Sequence, residues 1–324
     1  MDSIIIYGLF VIGFVLLIKG ADWLVTGASS IAKKFNISDF VVGLTIVSMG
    51  TSMPELVVNI AASLNGNADI ALGNIIGSNI SNIYLILGIS SIIYPLTINK
   101  NIVKMEIPYS ILAAILLGFL ANASFFSSSS HHQITRFDGF LLLLFFAMFL
   151  IYVIRSFKDG KQELVEEAPD VTGISMPKAI LLIGLGCIAL FLGGQWVVTG
   201  AEKIALQIGM SQSLVGLTVV AIGTSLPELV TSAVAAFKKN TDIAVANVLG
   251  SNIFNLLWVL GISAAIRPLP FKEILNTDLL ILILGSILLM LSVVTGKKSA
   301  MGKKEGIVFL FCYVAYMAYL INRG

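Results

Sequence analysis

One stretch of this sequence occurs twice, and it constrains the fold more than any other feature. The first copy spans residues 43–82 and the second spans residues 216–255, so that matching residues lie 173 positions apart. Each copy contains a Gly-Thr-Ser-x-Pro-Glu segment followed by a Gly-Ser-Asn-Ile-x-Asn segment. Over residues 20–96 about half of the residues are identical to their counterparts, which is far above chance. The chain is therefore built from two similar halves.

Composition places both halves in a membrane. Of the 324 residues, 57% are hydrophobic and 12% are charged, and a soluble domain carries roughly twice that charged fraction. We expect about ten apolar spans, because a helix needs about 20 apolar residues to cross a bilayer. The first is interpreted as a retained helix and not as a signal peptide. The spans lie near 4–26, 40–64, 70–96, 106–123, 137–154, 178–202, 213–237, 243–267, 278–295 and 305–322.

Five helices in each half make the two halves inverted repeats, because an odd number returns the chain on the opposite side of the membrane. We predict an N-terminal repeat over 1–155, a cytoplasmic linker over 156–177 and a C-terminal repeat over 178–324. Most lysines and arginines, including Lys33, Lys34, Lys238 and Lys239, fall in odd-numbered connections. The positive-inside rule then places those connections in the cytoplasm and both termini outside. We expect the membrane to be the plasma membrane.

Glu55 and Glu228 occupy matching positions inside apolar spans. An ionised carboxylate at that depth costs several kcal/mol unless it faces a cavity or a partner. No lysine or arginine lies at similar depth in the neighbouring spans, so a bound cation is the available compensation. A protonated, hydrogen-bonded structural glutamate is the alternative, and its duplication at matched positions makes it the weaker one.

The neighbouring residues offer the oxygen ligands that calcium and sodium prefer. Pro54 and Pro227 should break their helices and expose carbonyl groups nearby. The absence of cysteine and histidine from the set argues against zinc or copper. Four further residues, Asn74, Asn79, Asn247 and Asn252, suit helix capping or interhelical hydrogen bonding as well as ligation. The candidate ligands around the two glutamates are Ser48, Thr51, Ser52, Ser78, Asn82, Ala221, Thr224, Ser225, Ser251 and Asn255.

Three other acidic residues are interpreted differently. Asp22 has Gln195 as its counterpart, and this loss of charge favours a packing or interfacial role over ion binding. Asp69 and Asp242 match each other and follow short turns. A carboxylate is stabilised at a helix N-terminus, so both are predicted to begin their helices.

At these motifs the chain resembles the calcium/cation antiporter superfamily, and within it the sodium/calcium exchanger family. The resemblance covers nearly the whole chain and implies an all-α polytopic membrane protein. It implies ten helices in two inverted-topology five-helix repeats, with alternating access around a central site.

The resemblance also assigns roles to individual residues. The calcium pocket would comprise Glu55, Glu228 and the carbonyls of Thr51 and Thr224, with Asn82 and Asn255 in the middle. The flanking sodium pockets would use the Ser48 carbonyl, Ser52 and Ser78 on one side, and the Ala221 carbonyl, Ser225 and Ser251 on the other. Potassium-dependent relatives carry Asp where Asn255 stands, so potassium dependence is disfavoured.

The function predicted from these residues is Na⁺/Ca²⁺ antiport. The alternatives are a Ca²⁺/H⁺ antiporter of the same fold and a K⁺-dependent Na⁺/Ca²⁺ exchanger. A channel would need a ring of identical pore segments, which two inverted halves in one chain do not supply. An intramembrane aspartyl protease would need paired aspartates where this chain has glutamates. We therefore expect no enzymatic activity and no cofactor. Lipid and the transported Ca²⁺ and Na⁺ are the expected partners, without nucleic acid or a protein partner.

Overall fold

A computed structural model describes residues 3–98, 104–122, 132–158, 174–209, 221–295 and 300–323 of the chain. These residues are mostly helical and include four two-residue strands. The strands are β1 Leu96–Thr97, β2 Gln133–Ile134, β3 Leu269–Pro270 and β4 Ala300–Met301. The helices are α1 Ser3–Phe35, α2 Asp39–Thr51, α3 Met53–Asn65, α4 Ala68–Ile93, α5 Glu106–Asn122, α6 Arg136–Lys158, α7 Met176–Gln207, α8 Ala221–Thr224, α9 Leu226–Phe237, α10 Thr241–Ile266, α11 Leu275–Thr295 and α12 Lys303–Arg323.

The helices confirm a polytopic membrane protein. Seven described helices are long and apolar enough to cross a membrane, and the bent pair α2 and α3 makes eight if the two form one span. The shorter apolar helices α5 and α9 bring the described segments to a number consistent with ten. Residues 159–173 of the predicted linker and residues 216–220 of the second motif copy lie outside the described residues.

Matching helices of the two halves begin at matching residues. Helix α1 begins at Ser3 and α7 at Met176, which are 173 positions apart. Helices α4 and α10 begin at Ala68 and Thr241 with the same offset. Asp69 and Asp242 lie in the first turns of these two helices, which confirms their predicted positions.

The halves interlock at their ends. Strand β1 pairs antiparallel with β4, and β2 pairs antiparallel with β3, so each pair joins one half to the other. Helix α6 packs against the last part of α10, and α12 packs in the same way against α4. Helices α4 and α10 are the most buried spans. They carry the second motif segment of each half into the centre of the molecule.

Helices α1 and α7 pack against each other along their length through glycines. A Cβ atom added at Gly13 would lie 2.9 Å from the carbonyl oxygen of Gly193, and one added at Gly20 would lie 2.9 Å from that of Gly186. Small residues at these positions let the two backbones approach closely. The rising numbers on α1 meet falling numbers on α7, so the pair is antiparallel.

Candidate ion-binding site

The two glutamates lie just after breaks in their helices. Ser52, between α2 and α3, has φ −85° and ψ 6°, and the two helices meet at 45°. Ser225, between α8 and α9, has nearly the same conformation, φ −86° and ψ 4°. Pro54 and Pro227 follow in the first turn, where a missing N–H is tolerated. The breaks occur where the prolines predict them, but each is confined to one residue and does not extend to an unwound segment.

Hydroxyl groups from both halves surround the carboxylates. Glu55 and Glu228 are both 0% exposed. Ser78 donates to Glu55 Oε1 over 3.4 Å, and its counterpart Ser251 donates to Glu228 Oε1 over 3.5 Å. Ser52 of the first half also donates to Glu228 Oε1 over 3.0 Å. The second half therefore supplies a carboxylate that the first half helps to hold.

A pair of serines also links the second half to the glutamate of the first half. Ser225 of the second half donates to Ser78 Oγ over 3.1 Å, and Ser78 in turn contacts Glu55. The six predicted residues Ser52, Glu55, Ser78, Ser225, Glu228 and Ser251 thus form two hydrogen-bonded groups that each contain residues of both halves.

The two motif threonines make matching bonds across the halves. Thr51 donates to Asn247 Oδ1 over 3.0 Å, and Thr224 donates to Asn74 Oδ1 over 2.9 Å. Asn74 and Asn247 therefore act here as interhelical hydrogen-bond acceptors, one of the three roles that the sequence left open for them.

The motif asparagines form a second matching pair of bonds. Asn82 Nδ2 donates to Asn252 Oδ1 over 2.9 Å, and Asn255 Nδ2 donates to Asn79 Oδ1 over 3.4 Å. Asn82 opens a π-helical turn over Asn82–Ile86, and Asn255 lies in the matching π turn Phe254–Val259. Such turns inside α-helices are frequent at functional sites. Sequence analysis missed them, since no residue type marks a π turn.

Four buried oxygen atoms of the predicted set have no hydrogen-bond partner among the described residues. They are Glu55 Oε2, Glu228 Oε2, Asn82 Oδ1 and Asn255 Oδ1. Leaving a buried acceptor unsatisfied costs about 1–3 kcal/mol, and more for a charged group. All four atoms are acceptors, so a cation would satisfy them and another acceptor would not.

The carbonyls of Ser48 and Ala221, two of the predicted ligands, are not among these unpartnered atoms. The Ser48 carbonyl already accepts from Ser52 N over 3.0 Å and from Thr51 Oγ1 over 3.3 Å. Ala221 begins α8, and its side chain lies outside the described residues. Ion ligation by the Ser48, Thr51, Ala221 and Thr224 carbonyls stays a prediction.

Two buried residues next to the site were missed. Ser232 accepts from Asn247 Nδ2 over 2.9 Å and so orients the acceptor of Thr51. Its counterpart Asn59 donates to the Glu55 carbonyl over 2.8 Å. Both follow their glutamate by four residues, so the repeat alignment contained a signal for them.

Two related halves with buried carboxylates where they meet are typical of one class of protein, the secondary transporters. A family model described as sodium/calcium exchanger protein matches residues 5–155 and 178–322. The chain belongs to this family. It is a family of exchangers, and hence of transporters and not of enzymes.

Individual relatives match over nearly their whole length. CaxA of Alkalimonas amylolytica, which carries antiporter in its name, is 38% identical over 319 residues, covering 96% of this chain and 97% of CaxA. The sodium/calcium exchanger MaX1 of Methanosarcina acetivorans is 30% identical over 344 residues, covering 96% and 97%. A structure of the sodium-calcium exchanger NCX_Mj, soaked with 10 mM Na⁺ and zero Ca²⁺, aligns with a TM-score of 0.82 at 34% identity, covering 98% of this chain and 99% of NCX_Mj.

Proposed function

We propose that this protein exchanges Na⁺ for Ca²⁺ across the membrane by alternating access. The observation that carries the proposal is the set of four unpartnered oxygens on Glu55, Glu228, Asn82 and Asn255. Two are carboxylate oxygens and two are amide oxygens, and all four residues are 0% exposed. This is the ligand chemistry of a hard cation in a dehydrated site.

Calcium suits the charge of this site. Glu55 and Glu228 carry two formal negative charges when ionised, which one Ca²⁺ neutralises. Calcium takes about 6–8 oxygens, so the four unpartnered atoms need support from neighbouring hydroxyls. The hydroxyls of Ser52, Ser78 and Ser251 donate hydrogen bonds to the carboxylates. Their oxygen lone pairs remain able to contact a cation.

Sodium is the proposed counter-ion. The hydroxyls of Ser52 and Ser251 meet at Glu228 Oε1, and those of Ser78 and Ser225 contact each other next to Glu55. They provide neutral oxygens that suit small monovalent ions flanking the carboxylates. The relatives MaX1 and NCX_Mj are named sodium/calcium exchangers, which supports the same counter-ion here. We also propose that the three predicted segments and the plasma-membrane orientation inferred from the lysines hold for the folded protein.

Protons are the rival counter-ion, because carboxylates that release Ca²⁺ can also take up protons. The test is ⁴⁵Ca²⁺ uptake into proteoliposomes driven by an outward Na⁺ gradient or by a pH gradient alone, with choline as the balancing cation. We expect uptake with the Na⁺ gradient and little with the pH gradient. The reverse result would assign Ca²⁺/H⁺ exchange. A requirement for K⁺ would contradict the neutral Asn255 as the basis for potassium independence.

A further inference from the structure

A group of polar contacts ties α1 to the end of α9. Lys238, directly after α9, places Nζ 2.5 Å from Asp22 Oδ1 and 2.9 Å from Thr26 Oγ1 of α1. Asn240, two residues further on, donates to Ser29 Oγ of α1 over 3.0 Å. We call the five residues Asp22, Thr26, Ser29, Lys238 and Asn240 the clasp.

The clasp also reaches the beginning of α2. Asn240 Nδ2 donates to Asp39 Oδ2 over 2.6 Å, and Ser29 Oγ contacts the same oxygen over 3.4 Å. Asn240 is 3% exposed and Ser29 is 0% exposed. Helices α1 and α9 pack against each other here. This end of the molecule is therefore closed by both polar and packing contacts.

The matching end of the other half is not closed. The repeat relates the clasp to Gln195, Thr199 and Glu202 on α7 and to Asn65 and Asn67 at the end of α3. All five counterparts are exposed. Among the described helices, α3 and α7 share no packing comparable to that of α9 and α1. The two halves have similar sequences but different conformations at their ends.

We infer that this structure is the state closed at the α9 end and open at the α3 end, and that the clasp biases the molecule toward it. Two inverted halves can exchange conformations, and the exchange opens the α9 end and closes the α3 end. Gln195 and Asn65 would then meet without the charge pair that Asp22 and Lys238 form. The lysine distribution places the α9 end in the cytoplasm.

The size of the bias follows from exposure. The side chains of Lys238 and Asp22 are 25% and 42% exposed, so water screens the pair in part. A pair of this kind changes the ratio of two states by about two- to fivefold. Such a change leaves both states accessible, as transport requires, while it alters which of them is populated at rest.

Cysteine accessibility tests the inference independently of the ions carried. Ala61→Cys and Val234→Cys place reporters at matching positions, four residues before Asn65 and Lys238 and on the same helix faces. Each is made in a chain with Cys187 and Cys312 replaced by alanine. Labelling by a hydrophilic maleimide is followed in detergent without Na⁺ or Ca²⁺. We expect faster labelling at position 61 than at position 234.

Removing the charge pair should weaken this preference. Asp22→Gln with Lys238→Asn gives the first half the residues of the second, and should raise labelling at 234 about two- to fivefold while lowering it at 61. Unchanged labelling at both positions would overturn the inference. So would a rise at both positions, because it would show a loosened fold and not a shifted equilibrium.

Two matched variants complete the test. Gln195→Asp with Asn65→Lys installs the pair at the open end and should lower labelling at 61 while raising it at 234. The charge swap Asp22→Lys with Lys238→Asp keeps a pair at the closed end and should preserve the original preference. Failure of the first variant to shift labelling, or loss of the preference in the second, would contradict a clasp that acts through charge.

Discussion

At the scale of single residues, the two glutamates and the two motif asparagines of the candidate site leave four acceptor oxygens without donors among the described residues. Glu55 and Glu228 each satisfy one carboxylate oxygen with serine hydroxyls and leave the other unpartnered. Asn82 and Asn255 each use the amide nitrogen and leave the oxygen. The same division of atoms in both halves indicates a site prepared for positive charge.

Replacing either glutamate by glutamine should nearly abolish Ca²⁺ transport. Glu55→Gln or Glu228→Gln removes one of two negative charges and leaves a divalent ion under-neutralised in a site of low dielectric. The measurement is ⁴⁵Ca²⁺ uptake in proteoliposomes, with size-exclusion chromatography to establish folding. Glu273→Gln is the control, because the Glu273 side chain is 80% exposed and lies outside both motif copies in the sequence. Normal uptake by either site variant would refute the assignment.

At the scale of helices, the α1–α7 contact depends on the absence of side chains. A Cβ added at Gly186 would lie 2.8 Å from the Gly20 carbonyl oxygen and 2.9 Å from Leu24 N. Both neighbours are backbone atoms, which cannot rotate away. At Gly184, two residues earlier on α7, an added Cβ has nothing within 4 Å. Two glycines of one helix thus differ sharply in what they permit.

Gly186→Val should therefore destabilise the protein and Gly184→Val should not. Overpacking of a close contact costs about 1–3 kcal/mol, so Gly186→Val should lower the midpoint of thermal unfolding in detergent by several degrees. Gly184→Val controls for the effect of valine in a helix. Equal midpoints for the two variants would show that α1 and α7 do not approach as closely as the structure places them.

At the scale of the whole molecule, the halves are interlocked as well as related by the repeat. Each half contributes strands and a last helix to the other, through the β1–β4 and β2–β3 pairs and the contacts of α6 and α12. The candidate site lies on the same interface. Rearrangement of one half relative to the other would therefore alter the site directly.

The orientation of this assembly is tested by labelling from one side of the membrane. Phe35→Cys lies between α1 and α2 and should react only from the cytoplasm, while Glu273→Cys should react only from outside. The expectation rests on the concentration of lysines and arginines in the odd-numbered connections. Both parent residues are exposed, at 57% for Phe35 and 80% for the Glu273 side chain. The opposite accessibility would invert the orientation and leave the fold unaffected.

Exchange should be electrogenic. Asn82 and Asn255 are neutral, so Glu55 and Glu228 set the charge of the site, and a third Na⁺ in the serine-lined flanks would move a net positive charge. Each such charge is worth about 2.3 kcal/mol per 100 mV, so an inside-negative potential should accelerate Na⁺ entry coupled to Ca²⁺ export. The measurement is flux in proteoliposomes clamped with K⁺ and valinomycin at several potentials.

A charge variant serves as the companion to that measurement. Asn255→Asp adds one negative charge to the site. A proton or K⁺ that binds this charge and moves together with Ca²⁺ would offset the charge of the third Na⁺, so the voltage dependence should weaken. Flux that is independent of voltage in the unmodified protein would mean that only two Na⁺ move, or that a further ion cancels the charge.

The motif residues could be predicted because the repeat makes each of them visible twice. Helix spans followed from apolar length, and the breaks at Ser52 and Ser225 followed from the prolines that come after them. The π turns at Asn82 and Asn255 could not be predicted, because they arise from packing of buried helices and not from residue type. The short extent of the breaks was missed for the same reason.

The sequence by itself determined the membrane class, the two related halves and the residue types of the candidate site, because these depend on apolar length, repetition and ligand chemistry. Only the tertiary structure decided which residues meet. Ser52 contacts the glutamate of the other half. Asp22 forms an ion pair with Lys238 of the other half, where the sequence indicated only a packing or interfacial role. Similar halves predict equivalent ends, yet one end is closed and the other open. That difference belongs to the conformation of the whole molecule, which no single segment of sequence encodes.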